Sequence, residues 1–130
     1  MTPLKLKITK EKFAICKLNS MEHISDLFEK GNFISITKTE EEISLICREE
    51  DTPHLTGMKV ENDWQYIMIE GPLDISMVGV IAGFSEIFKN KGIPIFVLST
   101  YNTDYIFIKQ RHISDAIRAL KEANHEVHEE

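Results

Sequence analysis

The stretch 'IPIFVLSTYNTDYIFIK', residues Ile93 to Lys109, sets the fold that we expect for the rest of the chain. Two apolar runs, 93–98 and 105–108, are rich in β-branched and aromatic residues and flank the polar segment 'STYNTD'. This composition predicts a β-hairpin. Asp104 is the only formally charged residue between Ile93 and Ile108. Because a bare carboxylate in apolar surroundings is costly, we expect Asp104 to be solvated, hydrogen-bonded or paired with a partner.

The first strand of this hairpin is apolar on both of its sides. Ile93, Ile95 and Val97 alternate with Phe96 and Leu98. A strand of this kind belongs to a sheet that is covered on both faces. Helices would cover one face, and a second unit of the chain or a second subunit would cover the other.

The residues before the hairpin predict a helix that begins near Ser76 and ends at Gly92. Its apolar residues recur at helical spacing and form one wide stripe: Met77, Val80, Ile81, Phe84, Ile87 and Phe88. Gly79 and Gly83 lie one turn apart on another side, where each costs about 1 kcal/mol relative to alanine. Close packing is the favoured explanation, and space for a ligand or dimer partner is the alternative.

The elements around this helix complete a recognisable order. Alternation predicts a strand at Trp64–Glu70, and the residues after the hairpin predict a second amphipathic helix. The tail around Val127 is expected either to form an edge strand or to fray. This is the order of a split βαβ, or ferredoxin-like, unit, in which two helices cover one face of an antiparallel sheet.

The first half of the chain repeats the order in reduced form. Alternating residues predict strands at Phe13–Leu18, Phe33–Thr39 and Ile43–Arg48, with a short helix after the first. The hairpin of the last two strands resembles the later hairpin with an offset of 61 residues in one strand and 62 in the other. The sequence therefore predicts an α+β protein of two units, at residues 1–61 and 62–130.

Composition excludes several classes of function. The formal net charge of −6 argues against a nucleic-acid partner, because phosphate backbones select for basic surfaces. No segment has the character of a signal peptide or a membrane span, so we expect a cytoplasmic protein without a membrane partner. Cys16 and Cys47 lie in alternating apolar segments, which predicts reduced core thiols. His125 and His128 are spaced i, i+3 beside carboxylates, but they lie at a terminus, so a metal site is not expected there, and no cofactor is expected.

Polar residues of the second unit converge on two loops, 'EGPLDIS' at 70–76 and 'STYNTD' at 99–104. The strands that lead into these loops are neighbours in a split βαβ unit. A helix start offers unpaired N–H groups to a carboxylate, and Asp74 or Asp104 offers a seat to an ammonium group. Together these groups suit an α-amino acid. Alternatively, Asp74 or Ser76 caps the helix and Asp104 accepts hydrogen bonds from its own turn.

Three segments carry a family resemblance: 'GPLD' before the predicted helix, 'STYNTDYIFIK' in the hairpin, and 'FISITKTEEEISLIC' in the first unit. With them, the chain resembles the ACT-domain family. Within that family it is similar to the regulatory tail of aspartate kinase and to the arginine-sensing proteins of animal growth control. The resemblance implies two ferredoxin-like (βαββαβ) ACT units packed together, the N-terminal one reduced.

The resemblance also implies a function: a non-catalytic regulatory or sensor module that binds a free amino acid between units or between the subunits of a homodimer. By position it places ligand contacts at Gly71, Asp74, Met77, Val78, Thr100, Tyr101 and Asp104. One alternative is a structural or partner-binding module that uses the same faces for oligomerisation and has lost ligand binding. A small ferredoxin-like enzyme is disfavoured, because the sequence contains no nucleophile elbow, Walker loop, GxGxxG or HExxH motif.

Overall fold

The computed structural model describes residues 2–22, 24–52, 58–70 and 79–130. Within them, short 3-10 turns at Glu49–Asp51 and Gln110–His112 accompany the regular elements. In chain order these elements are β1 (Lys5–Ile8), β2 (Phe13–Leu18), α1 (Ile24–Lys30), β3 (Ile34–Lys38), β4 (Ile43–Arg48), β5 (Lys59–Ile69), α2 (Val80–Asn90), β6 (Phe96–Ser99), β7 (Asp104–Lys109), α3 (Ile113–Glu122) and β8 (Glu126–Glu129). None of the helices in this part of the chain is long and apolar enough to cross a membrane.

The chain divides into two units in space. One is Glu11–Trp64, and the other joins Met1–Lys10 to Gln65–Glu130. The units predicted from the sequence, 1–61 and 62–130, instead follow the order of the chain. The difference lies mainly in β1, which comes first in sequence but belongs in space with the C-terminal residues.

The unit that contains the C-terminal residues has the α+β, ferredoxin-like order predicted for it. Its elements run β5, α2, β6, β7, α3 and β8, and its sheet has the strand order β6–β7–β5–β1–β8. β1 pairs antiparallel with β5 and parallel with β8. The N-terminal strand is therefore inserted between the first and last strands of the ferredoxin-like pattern. The tail forms the edge strand β8, which was one of the two alternatives.

Helices α2 and α3 bury their apolar stripes against one face of this sheet. The buried cluster joins helix residues Phe84, Phe88, Ala116 and Leu120 to strand residues Leu6, Ile8, Ile67, Ile69, Ile106 and Ile108. Full burial of one large apolar side chain contributes about 1.5–3 kcal/mol. The predicted helical stripe is thus confirmed for Val80, Phe84, Ile87 and Phe88.

The start of α2 differs from the prediction. The helix begins at Val80, after Gly79, whose φ of 80° lies in the left-handed region. Gly79 is therefore outside the helix, and a Cβ atom built on it would meet nothing within 4 Å. Close packing does not explain why residue 79 is glycine. Its backbone conformation does, because positive φ is energetically unfavourable for L residues. Ser76 and Met77 lie outside the described residues.

The other face of the β6–β7 hairpin is covered unevenly. Phe107 is fully buried, and its ring packs edge-on against Tyr66, with 5.8 Å between centroids. Tyr66 also packs edge-on against Tyr105, at 5.0 Å. Phe96, the partner of Phe107 on β6, is 39% exposed. Among the described residues, the expected cover is therefore incomplete at β6.

The unit Glu11–Trp64 is the reduced one. Its strands have the order β3–β4–β2–β5, with antiparallel pairing throughout. α1 is a helix of seven residues, and the 3-10 turn Glu49–Asp51 follows β4 as the turn Gln110–His112 follows β7. The buried cluster includes both cysteines: Ala14, Cys16, Leu18, Ile24, Leu27, Leu45 and Cys47. Both thiols are free, as the alternating pattern predicted.

Candidate functional site

The pairing of β7 with β5 brings the hairpin loop beside the end of β5. The Oγ1 hydroxyl of Thr103 donates a hydrogen bond to the carbonyl oxygen of Ile69, at 2.8 Å. Ile69 is the last residue of β5, so this bond ties the hairpin loop to the strand end that leads into residues 71–78. Four of the predicted ligand contacts, Gly71, Asp74, Met77 and Val78, lie outside the described residues.

Asp104 is the first residue of β7, where it pairs with Ser99. Because side chains alternate along a strand, Asp104 lies on the same face as Ile106 and Ile108. Those two residues belong to the cluster that α2 and α3 cover. The Asp104 side chain is half-buried, and no described residue forms a hydrogen bond or ion pair with its carboxylate. The Asp104 carboxylate therefore lies on the helix-covered face, and no described residue donates a hydrogen bond to it.

The other two predicted contacts of the hairpin have different surroundings. Tyr101 is 92% exposed at the tip of the loop. The hydroxyl of Thr100 is engaged in the turn, where it donates to the carbonyl of Thr103 at 3.1 Å and accepts from the Thr103 N–H at 3.3 Å. Thr100 thus has a structural role that is independent of any ligand.

The first unit contains the same turn. The hydroxyl of Thr39 donates to the carbonyl of Glu42 at 3.4 Å and accepts from the Glu42 N–H at 3.1 Å. These residues precede Thr100 and Thr103 by 61 positions, and β4 precedes β7 by the same 61. The offset is uniform, so the one-residue slip inferred from the sequence is wrong. Both strands have the same burial pattern along their six residues.

Comparison of the two hairpins shows which residues they have in common and which differ. Thr100 corresponds to Thr39, which supports its role in the turn. Asp104 corresponds to Ile43, which packs against the buried cluster of its own unit. The carboxylate is therefore a property of the second hairpin alone.

The start of α2 adds polar groups to the same region. The first intrahelical bond that closes a full turn runs from the N–H of Gly83 to the carbonyl of Gly79, at 2.9 Å. The N–H groups of Val80, Ile81 and Ala82 therefore have no acceptor inside the helix. Gly79 supplies no side-chain cap. These donors carry the partial positive charge of the helix start, which favours an anionic group.

A family model of the ACT domain matches residues 59–122. The fold is also that of the regulatory subunit of aspartate kinase from Thermus thermophilus, solved in its ligand-free form. Residues 59–122 of this chain form an ACT domain. The match to the Thermus subunit has 13% identity and a TM-score of 0.66, and it covers 94% of this chain and 99% of that one. A second family model, that of an N-terminal domain, matches residues 11–55.

Two further solved structures resemble this ACT protein over most of its length. A protein of Agrobacterium tumefaciens is 27% identical, with a TM-score of 0.87, over 100% of this chain and 96% of that one. A Vibrio cholerae protein of unknown function, described as a possible transport protein, is 20% identical, with a TM-score of 0.72, over 92% and 88% of the two chains. No curated protein sequence matches significantly.

The histidines of the tail do not form a joint site. His125 is buried, and its Nδ1 accepts a hydrogen bond from the N–H of Leu4 at 3.1 Å. His128 is exposed and pairs with Glu126 at 3.2 Å. Across the described ranges, no group of three His, Cys, Asp or Glu side chains is placed to hold a metal ion. Sequence spacing alone gave no sign that the two rings would have such different surroundings.

A cluster of charges in the first unit was also missed. Arg48 contacts Glu11 at 2.9 Å, Glu50 at 3.0 Å and Asp51 at 3.5 Å. The hydrogen bond to Glu11 and the nearby carboxylates raise the pKa of Arg48 above its ordinary value. Because its guanidinium is already bound by three acidic side chains, this cluster fixes the turn after β4 and leaves few donors for a ligand. The sequence feature that could have indicated this cluster is the segment 'REED' at 48–51.

Proposed function

We propose that this ACT protein is a non-catalytic regulatory module that binds a free α-amino acid in its second unit. The observation that carries the proposal is the Asp104 carboxylate, half-buried on the helix-covered face and unpaired within the described residues. Natural proteins rarely keep such a group in a partly apolar setting without a partner. An ammonium group is the partner that a carboxylate at this position accepts best.

The rest of the amino acid would contact other residues of the second unit. The α-carboxylate would bind the N–H groups at the start of α2 that have no acceptor inside the helix, where the helix dipole favours negative charge. The loop residues Gly71, Asp74, Met77 and Val78 would complete this side of the pocket, with Thr100 and Tyr101 on the hairpin side. The Thr103 to Ile69 bond supports this arrangement, because it ties the hairpin to the strand that leads into the loop.

The comparison of the two units also predicts how many ligands bind to each chain. The first unit has Ile43 at the position of Asp104, and this side chain is packed against its own core. It offers no acceptor to an ammonium group. We therefore expect one amino acid to bind per chain, through the second unit.

A thermal-shift screen against the twenty amino acids tests the proposed function. A ligand at about a hundred times its dissociation constant stabilises the folded state by about 2.7 kcal/mol, which raises the melting temperature by several degrees. We expect a shift with at least one amino acid. The absence of any shift at millimolar concentrations of all twenty would contradict the proposal.

An oligomerisation module without ligand binding is the second candidate, and one observation favours it. Phe96 lies on β6, at an edge of its sheet, and keeps 39% of its surface exposed. An edge strand with an exposed aromatic residue is a surface on which a second subunit can dock. Sedimentation at tens of micromolar tests the homodimer, and a monomer under those conditions would exclude a site shared between subunits.

A further inference from the structure

The C-terminal strand β8 is held by few side-chain contacts. It has four residues, pairs with β1 alone among the described strands, and lies at the edge of its sheet. Val127 is its one residue that is partly buried, and the other three are exposed. The strand therefore depends on its backbone ladder and on the contacts at its two ends.

At its first end, β8 is preceded by a buried histidine. His125 is 4% exposed, and its Nδ1 accepts the hydrogen bond from Leu4 at 3.1 Å. Its backbone N–H donates to the carbonyl of Leu120 at 3.1 Å, and its ring packs on Phe84 with 5.1 Å between centroids. Nε2 is buried without a hydrogen-bond partner in the described part of the chain. His125 thus joins the residue that precedes β1 to α2 and α3, at the point where β8 begins.

These contacts require the neutral ring. Because Nδ1 accepts from Leu4, the proton of the neutral imidazole is assigned to Nε2. A second proton would set an N–H of the ring against the N–H of Leu4, which breaks this bond. It would also place a charge beside Phe84 and Leu120, which offer it no counterion.

The charged groups around His125 do not favour protonation. The neighbouring carboxylate, Glu126, lies 3.2 Å from Nε2 of His128, with which it forms an ion pair when His128 is protonated. Burial lowers the pKa of His125 below its ordinary 6.5, and the positive charge of the chain's amino terminus acts in the same direction. The stabilising effect of the neutral ring is therefore complete above pH 6.5 and is lost as the pH falls toward the lowered pKa.

The far end of β8 is held by different contacts. The carboxylate of Glu130 accepts hydrogen bonds from the Thr9 hydroxyl at 3.3 Å and from the Lys10 N–H at 3.4 Å, and it lies 3.5 Å from the ammonium group of Lys7. Protonation of His125 thus removes the anchor at the first end only. From that end the strand can peel away from β1.

We propose that His125 is a proton-operated latch, whose neutral ring holds β8 on β1 and whose protonation releases β8. Release exposes the backbone edge of β1, which β8 otherwise covers. The latch is independent of the amino-acid site.

Amide hydrogen exchange between about pH 8 and about pH 5.5 tests the latch, with rates corrected for intrinsic pH dependence. The most informative amide is that of Glu126, at the released end, which donates to the carbonyl of Leu4. Its protection is expected to fall relative to that of β5, by at most about tenfold per pH unit, because release takes up one proton. The protection of the Glu130 amide, which donates to the carbonyl of Ile8 at the anchored end, should fall less. Unchanged relative protection across this range would overturn the proposal.

Two variants give the matched comparison. In His125→Asn, the amide oxygen replaces Nδ1 as acceptor and does not titrate, so the protection of β8 should become independent of pH. In His128→Asn, an exposed histidine of the same strand is removed, and the pH dependence of the wild type should remain. The opposite result in either variant contradicts the latch. If His125→Asn does not fold, the wild-type His125 imidazole can be titrated by NMR, and its protonation must coincide with the loss of β8 protection.

Discussion

The hydroxyl of Thr103 donates a 2.8 Å hydrogen bond to the carbonyl oxygen of Ile69, and so joins the hairpin loop to the end of β5. Each of these two segments leads to one half of the proposed ligand site. The strand end continues into residues 71–78, and the loop continues into Asp104. Relative movement of the two segments would change the distance between the groups that hold the ligand's carboxylate and ammonium.

Thr103→Val is expected to lower stability by about 1–2 kcal/mol, because it leaves the carbonyl of Ile69 without its donor. Urea unfolding followed by the fluorescence of Trp64, the single tryptophan, measures this. Thr103→Ser keeps the hydroxyl and should retain most of the stability. A loss in Thr103→Ser as large as that in Thr103→Val would show that the methyl group contributes as much as the hydrogen bond.

Asp104 and Ile43 occupy equivalent positions, and their replacements should have different effects. Ile43→Ala removes a side chain packed against a buried cluster and is expected to cost about 1–3 kcal/mol. Asp104→Ala removes a carboxylate that binds no described residue and should change stability by about 0.5 kcal/mol or less. If Asp104→Ala destabilises the protein as strongly as Ile43→Ala, Asp104 is a structural residue.

Gly79 and Gly92 lie at the two ends of α2, both with positive φ and both in open space. Each replacement by alanine should cost about 1–2 kcal/mol, because the left-handed conformation is unfavourable for L residues. Chemical denaturation of the two variants measures the cost. Gly79→Ala should in addition weaken ligand binding, whereas Gly92→Ala should not, since only Gly79 borders the proposed site.

Cys16 and Cys47 should be unreactive in the native protein. Both are buried, and hydrogen bonding to Cys16 together with burial raises the pKa of the Cys47 thiol. The same hydrogen bond lowers the pKa of Cys16, so the protection of Cys16 depends on its burial from the reagent. Because the thiolate is the reactive species, labelling by a disulfide reagent near neutral pH should be slow until urea unfolds the chain. Rapid labelling of either thiol in the folded state would contradict their placement in the core.

Much of the fold follows from local patterns in the sequence. Alternation located β2 and β4 at the bounds found in the structure, Phe13–Leu18 and Ile43–Arg48. Helical spacing located the apolar stripe of α2. Both patterns are visible in the sequence because each depends on residues within one element. The two-unit repeat was also visible, although matching apolar residues gave a one-residue slip that the threonine turns correct.

Other features depend on contacts between distant residues. The insertion of β1 between β5 and β8 is set by pairings such as that of Leu6 with Ile69 and Val127, which no local pattern contains. The same holds for His125, whose hydrogen bond to Leu4 spans 121 residues. The candidate site stays a prediction at the level of two loops, one of which lies outside the described residues from Gly71 on. The structure adds that Thr100 has a role in its turn and that Asp104 has no counterpart in the first unit.

The most direct test of the amino-acid site compares the wild type with Asp104→Asn in the thermal-shift screen, with Asp115→Asn as the control. Asp115 is an exposed carboxylate of the same unit, and its side chain is paired with Arg118 at 3.2 Å. We predict that at least one amino acid raises the melting temperature of the wild type and of Asp115→Asn, and that the shift is absent in a folded Asp104→Asn. An equal shift in Asp104→Asn, or no shift in the wild type with any amino acid, would contradict the account.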